Sequence, residues 1–298
     1  MIQVPSAFVA STVAREGAAG RLWINSLPQL VEELCIVWEL TPAGPVRHGY
    51  VGVVVPVTRE GITLALKVSW IDESSKQEAL VLRAWKGRGA VRLLEAREES
   101  GALLLEWLDP DRTLATVPPD AAAEIAGGLL RRLAIAAPEQ LRTVREEIDH
   151  LVGTLRSRWQ ESGKPFSELL LDHVMEVCVA GRKSDDHLIV NQDLHYDNVL
   201  AGAREPWSVI DPKALAGDTE FGVAPLLWNR FEGLGDRAGL ERRLQIIADA
   251  ADLDLDAGRR WAVVRLVDYW LWALNEGFTE DPSRCSTLIK WLLPGFAG

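Results

Sequence analysis

Within Asn191-Gln192-Asp193-Leu194-His195-Tyr196-Asp197-Asn198 a carboxylate stands five positions before a carboxamide, and a second carboxylate, Asp211, follows Trp207-Ser208-Val209-Ile210. An Asp that takes a proton, with an Asn and a further Asp that hold magnesium through oxygen, is the set needed to move a phosphoryl group from ATP to a hydroxyl. The D-x-x-x-x-N spacing is a weak signal by itself. Context strengthens it: the apolar run Leu188-Ile189-Val190 precedes, and two short strands follow, so that a hairpin returns Asp211 towards Asn198. The bland alternative is that Asp193, Asp197 and Asn198 only cap turns. Magnesium favours octahedral oxygen ligation and keeps waters, so Asn198, Asp211 and phosphate oxygens form a suitable set. His195 is read as orienting the loop by hydrogen bonding, and Asp197 as facing solvent.

Lys67 lies in the apolar segment Leu64-Ala65-Leu66-Lys67-Val68, and Glu78 follows on the next expected helix. An ion pair between them would hold the ammonium against nucleotide phosphates. Ser75-Lys76-Gln77-Glu78 also fits a capping box, in which Glu78 serves only a backbone amide. The stretch from Ala43 to Gly49 is expected to fold over nucleotide phosphates, with Gly49 in the nucleotide site and Arg47 and His48 bringing positive charge, although it lacks a G-x-G-x-x-G pattern; the alternative is that Gly44 and Gly49 only permit a turn. Leu103-Leu104-Leu105-Glu106-Trp107-Leu108 is either a plain buried strand or one that also presents backbone groups of Glu106 and Leu108 to adenine.

The elements that would position these groups change character along the chain. A helix is expected from about Leu27 to Val37, with Pro28 at its start. Strands are expected at 38–41, 50–58 and 63–69, with a turn at Arg59-Glu60-Gly61, then a helix over 75–86 and strands at 91–96 and 102–107. Beyond Leu108 helices dominate: one after Pro118-Pro119-Asp120, then 143–161, 166–180, 222–231, 238–251, 256–276 and 285–293. Short strands at 187–190, 198–200 and 207–210 interrupt them. The composition shift divides the chain into 1–108, a nucleotide-binding lobe with extra N-terminal helical residues, and 109–298, a helical catalytic and substrate-binding lobe, with a cleft expected between them.

With 298 residues, 48% hydrophobic, the chain can bury a substantial core. A net charge of -11 argues against nucleic acid or an anionic membrane as partner and favours a cationic one. Residues 231–282 hold 11 Asp plus Glu against 6 Arg and no Lys, which reads first as a solvated acidic surface that aids solubility. Cys35, Cys178 and Cys285 lack metal or disulfide spacing and are expected as buried thiols. No apolar run approaches a bilayer span and no secretory signal is evident, so a cytoplasmic location is expected.

Taken together, Gly49-Tyr50-Val51, Leu66-Lys67-Val68, Glu78, Leu104-Leu105-Glu106, Asp193-Leu194-His195-x-x-Asn198-Val199-Leu200 and Glu205-Pro206-Trp207-x-x-Ile210-Asp211-Pro212-Lys213 resemble the aminoglycoside phosphotransferases, and most of all their streptomycin 6-kinase and hydroxyurea kinase branch. The resemblance spans nearly the whole chain. It implies an α+β, protein-kinase-like, two-lobed fold with a small antiparallel sheet lobe and a larger helical lobe. It also implies Asp193 as catalytic base, Asn198 and Asp211 as magnesium ligands, Lys67 on phosphate, and Glu106 with Leu108 at the adenine hinge. The family's loop usually opens His-Gly-Asp, whereas here it opens Asn191-Gln192-Asp193.

Lys213 is expected either to touch phosphate or to cap its own turn. Asp218 and Glu220 on the following loop, and Asp268, Trp272 and Glu276 recurring along one helix face, offer carboxylates and an aromatic surface to a polycationic, hydroxylated ligand. The alternative for the helix face is ordinary exposure with Trp272 partly packed. The expected activity is ATP-dependent phosphorylation of a streptomycin-like aminoglycoside. Hydroxyurea, sugar or other small-molecule kinases remain alternatives, as does a non-catalytic nucleotide-binding protein.

Overall fold

Alternating apolar residues give the sheet its two faces, and the two faces carry different jobs. The computed structural model describes residues 2–72, 75–182 and 187–296. The chain divides into two units, Met1–Asp109 with Gly202–Ser208, and Pro110–Ala201 with Val209–Gly298.

The first unit contains α1 (Ser6–Val37), β1 (Thr41–Pro42), β2 (Arg47–His48), β3 (Gly52–Arg59), β4 (Ile62–Ser69), α2 (Ser75–Trp85), β5 (Leu93–Arg97) and β6 (Ala102–Glu106). The antiparallel sheet runs β1-β3-β4-β6-β5, with β2 also on β3. Because side chains alternate along a strand, Val53, Val55 and Val57 share a face with Val68, Leu66 and Leu64 opposite them. That face forms one core with Phe8, Leu27, Val31 and Leu34 of α1. Lys67 pairs with Val54 and Leu103 on the other face. Glu60 and Gly61, with φ of 52° and 79°, make the two-residue turn that sets the β3–β4 register.

The second unit contains β7 (Asp109–Thr113), α3 (Pro119–Leu133), α4 (Val144–Glu161), α5 (Glu168–Gly181), β8 (Ile189–Asn191), β9 (Val199–Ala201), β10 (Ser208–Val209), β11 (Ala214–Ala216), α6 (Ala224–Trp228), α7 (Arg237–Ala251), α8 (Leu255–Asn275) and α9 (Glu280–Leu292). Helix α3 packs on α7, α4 on α5, and α8 on α9. Thr143 and Glu146 form a reciprocal capping box at the start of α4, and Ser167, Asp236 and Asp254 cap α5, α7 and α8. Strand β11 pairs antiparallel with β8, and β9 lies between β10 and β7.

Several boundaries differ from expectation, each for a local reason. The first helix reaches back to Ser6 and runs through Pro28, because its apolar stripe is held on the sheet; it bends at Gly17, whose φ of 61° only glycine adopts cheaply. The strand expected at 38–41 shrinks to Thr41–Pro42 after Glu39 turns left-handed. The helix expected over 222–231 ends at Trp228, since Asn229 is extended and Arg230 adopts φ 58°. Helix α9 begins at Glu280 with Pro282 in its first turn, where a missing N–H costs nothing. Strands β7 and β11 carry no clear sequence signal and were not expected. Cys178 and Cys285 are buried, whereas Cys35 is only half-buried.

Candidate active site

Strand β8 ends at Asn191, and the chain then loops through Asp193 to a 3-10 turn at Tyr196–Asn198 that opens β9. The turn is anchored from below: the Tyr196 hydroxyl donates to Leu226 O at 3.2 Å, and burial pushes that phenol up to about 12. Leu194 is fully buried beside it. Hairpin β9–β10 then returns the chain, and Ile210 N donates to Asn198 O at 2.9 Å, which puts Asp211 next to Asn198. Asp211 has φ 50°, a strained conformation for a non-glycine residue and one that clusters at functional sites.

Asn191 accounts for the departure from a His-Gly opening. Its Oδ1 accepts from Asp193 N at 3.1 Å and from Lys213 N at 3.2 Å, so one buried carboxamide ties the loop of Asp193 to the segment after Asp211. Gln192 N adds a bond to Lys213 O at 2.9 Å. Asn198 Nδ2 donates to Asp193 O at 3.3 Å, closing the loop from its other end. The Lys213 ammonium lies 2.7 Å from Asp193 Oδ2. Of the two roles left open for Lys213, neither anticipated this ion pair.

The Asp193 carboxylate lies in the wall of a cavity of about 1190 Å³ that belongs wholly to the second unit. Its wall includes six carboxylates, Glu147, Glu161, Asp193, Glu232, Asp268 and Asp281, against five Arg and Lys side chains. Trp228 stacks on Tyr269 with centroids 4.8 Å apart, and Tyr269 on Trp272 at 5.4 Å, forming an aromatic ladder along one side. Burial, then the charge of Asp281, raises the Tyr269 phenol, which stays neutral. Arg158 from α4 holds Asp268 at 2.7 Å.

Asp268 and Trp272 thus share the cavity with Asp193, whereas the other expected acceptor residues do not. Glu276 is exposed at the end of α8. Glu220 accepts from Asp254 N at 3.1 Å, next to the α8 cap. Asp218 lines a smaller cavity of about 370 Å³ with His173, Glu176 and Arg260. Arg158, Trp228, Tyr269 and Arg265 were not singled out in the sequence. Tyr269 and Arg265 fall on the face of α8 that Asp268 and Trp272 define, so extending that stripe by a turn finds them; nothing local marks Arg158 or Trp228.

In the first unit Lys67 and Glu78 are both buried, and Lys67 Nζ donates to both Glu78 oxygens at 2.7 Å. Ser75 instead exchanges hydrogen bonds with Asp72, so Glu78 is engaged by the lysine and the helix start by another pair. Gly49 N donates to Gly52 O at 2.9 Å beside β2, and His48 packs against Phe8. Glu106 closes β6; its carboxylate accepts from Arg92 N at 2.8 Å and from Arg204 Nε at 3.0 Å, while Leu108 is buried. Arg204 also reaches Ala90 O at 3.0 Å and Gly87 O.

Residues 37–277 match the family described as aminoglycoside/hydroxyurea antibiotic resistance kinase. The chain is 39% identical to a hydroxyurea phosphotransferase of Kitasatospora aureofaciens, over 100% of this chain and 88% of that one. It is 38% identical to a streptomycin 6-kinase of Streptomyces griseus, over 93% of each. Among solved structures, aminoglycoside phosphotransferase APH(4)-Ia matches with a TM-score of 0.61 at 16% identity, covering 89% of this chain and 99% of that one. Choline kinase LicA of Streptococcus pneumoniae gives a TM-score of 0.61 at 13% identity, covering 89% and 98%. The last two show the kinase-like fold. With matches of this identity over its full length, the chain belongs to the aminoglycoside/hydroxyurea antibiotic resistance kinase family.

Proposed function

We propose that this enzyme transfers the γ-phosphoryl group of ATP to a hydroxyl of a cationic, hydroxylated aminoglycoside of the streptomycin type. The observation that carries the reading is the Asp193 carboxylate in the wall of a cavity of about 1190 Å³. Sites for drug-sized ligands run to roughly 300–1,000 Å³. Hydroxyurea is small against this space, whereas a three-ring aminoglycoside has the size to use it. The charges in the wall are nearly balanced, so recognition must work through individual carboxylates such as Asp268 and through the aromatic ladder, not through a net field.

In this reading Asp193 orients the acceptor hydroxyl and takes its proton. Lys67, fixed by Glu78, binds the nucleotide phosphates. Backbone groups at Glu106 and Leu108 receive adenine, and the turn at Gly49 lies over the phosphates. Asn198 and Asp211 offer oxygen donors on adjacent backbone, which suits magnesium, a cation that keeps waters and takes its remaining ligands from phosphate. When bound, magnesium neutralises charge on the β and γ phosphates. Relatives support the choice of ligands: APH(4)-Ia was crystallised with ADP and hygromycin B.

The test is ADP release from ATP with a panel of aminoglycosides, hydroxyurea and simple sugars, for wild type and Asp193→Ala. Streptomycin-type compounds should give the highest kcat/KM, and the variant should lose roughly 10²–10⁴-fold in turnover, the usual weight of a positioned base. Saturable turnover of hydroxyurea or sugars alone would sink the aminoglycoside reading. Nucleotide binding with no turnover in either protein would identify a binding protein.

A further inference from the structure

Gln192, immediately before Asp193, is gripped at two points by one side chain of the helix that also carries the acceptor wall. Arg265 Nη1 donates to Gln192 Oε1 at 2.8 Å and Nη2 to Gln192 O at 3.1 Å. The guanidinium lies 5.0 Å from the centroid of Phe221, and that ring meets Trp261 edge-on at 5.1 Å. Arg265 Nε is buried without a hydrogen-bond partner. A planar fork with one face on an aromatic ring and two donors fixed on a neighbour has little freedom left. Arg265, Asp268, Tyr269 and Trp272 recur at helical spacing on α8, and all four line the large cavity.

We infer that Arg265 is a positioning residue: its clamp on Gln192 sets where the Asp193 carboxylate stands relative to the acceptor wall on the same helix. This rests on the reading of Asp193 as base. The physical need is register. The loop is tied to β11 through Asn191, but that tie fixes Asp193 relative to Lys213 and Asp211, not relative to α8. The Arg265 hydrogen bonds to Gln192 join the residue next to the proposed base to the helix that presents Asp268 and Trp272. A displacement of about 1 Å at a reacting group can cost on the order of 10²-fold in rate. Glutamine at 192 therefore supplies a side-chain acceptor that glycine at this position lacks.

The experiment compares wild type, Arg265→Ala, Arg265→Lys, Gln192→Ala and the Arg265→Ala/Gln192→Ala double variant. ATP is used with the best acceptor of the panel above, and ADP release to water without acceptor gives a second readout. Arg265→Ala should lower kcat about 10–100-fold with acceptor KM changed less than about threefold. Arg265→Lys and Gln192→Ala, which each retain one of the two contacts, should lose less. The double variant should be no worse than Arg265→Ala, because both changes break the same clamp. A raised acceptor KM at unchanged kcat would make Arg265 a direct ligand and overturn the proposal, and so would additive losses. If Arg265→Ala does not fold, Gln192→Ala decides, since an unchanged kcat there overturns the clamp. Asp193→Ala run alongside separates the two levels: full turnover in it defeats the reading of the base, whereas its loss with normal kcat in Arg265→Ala defeats only the clamp.

Discussion

Two lysines in this molecule each stand 2.7 Å from a carboxylate oxygen, yet they sit in opposite physical regimes. The side chains of Lys67 and Glu78 are 10% and 4% exposed, whereas those of Lys213 and Asp193 are 43% and 27% exposed. A buried pair is held because losing one partner strands a charge in a medium that cannot solvate it. An open pair competes with water and salt at every moment, so its net contribution is small and its partners can be exchanged. Equal distances therefore conceal a fixed part in the first unit and an exchangeable part in the second. That division suits the proposed roles, in which Lys67 is pre-set for phosphate while Asp193 trades its partner for a substrate hydroxyl.

The largest expected effect comes from breaking the buried pair. Lys67→Met should destabilise the protein by about 3–5 kcal/mol, because Glu78 is left charged and buried, and should abolish measurable transfer. Adding Glu78→Leu should restore most of the stability and none of the activity, which separates the two roles of the lysine. Denaturant unfolding read beside ADP release tests this. A single variant as stable as wild type would show that Glu78 reaches solvent or another cation.

An intermediate case sharpens the contrast. Arg204 and Glu106, with side chains 33% and 17% exposed, lie between the two lysine pairs. Hydrogen bonding to Glu106 raises the Arg204 guanidinium, and Arg204 also binds Ala90 O and Glu205. Arg204→Ala should cost about 1.5–3 kcal/mol, the range for hydrogen bonds to charged groups. Since Glu106 closes the strand proposed to receive adenine, the KM for ATP should rise more than that for acceptor. A melting temperature equal to wild type would remove exposure as the variable that ranks these pairs.

How much of this is legible in the sequence follows from the range of the contacts. Asn198 and Asp211 flank one short hairpin and Asp193 stands on the loop leading into it, so spacing and strand pattern suffice to bring the backbone of Asn198 and Asp211 together. Lys67 and Glu78 lie on successive elements, and the alternation of β4 tells which face the lysine takes. Arg204 on Glu106 is different: it depends on which unit a loop docks to, and no local period encodes that. The cavity wall divides in the same way. Helical spacing groups Asp268 with Trp272, but Arg158 and Trp228 arrive from α4 and α6 by packing alone. The end of α6 also eludes periodicity, since the chain leaves the helix just before Arg230, which binds Val117 O at 2.8 Å and lies over the ring of Tyr196.

The smallest stability effect belongs to the open pair, and it is also the most discriminating. Lys213→Ala should change stability by less than about 1 kcal/mol, as exposed pairs do. Turnover should nevertheless fall, roughly 10–100-fold, because the ammonium 2.7 Å from Asp193 Oδ2 sets the orientation of the carboxylate proposed as base. The loss should appear in kcat at saturating acceptor, with little change in acceptor KM. Lys213→Arg should recover part of it, since charge is kept and geometry is not. If Lys213→Ala destabilised the protein as much as Lys67→Met, the pair would be a structural tie, and the exchangeable role assigned to it would be lost together with the contrast between the units.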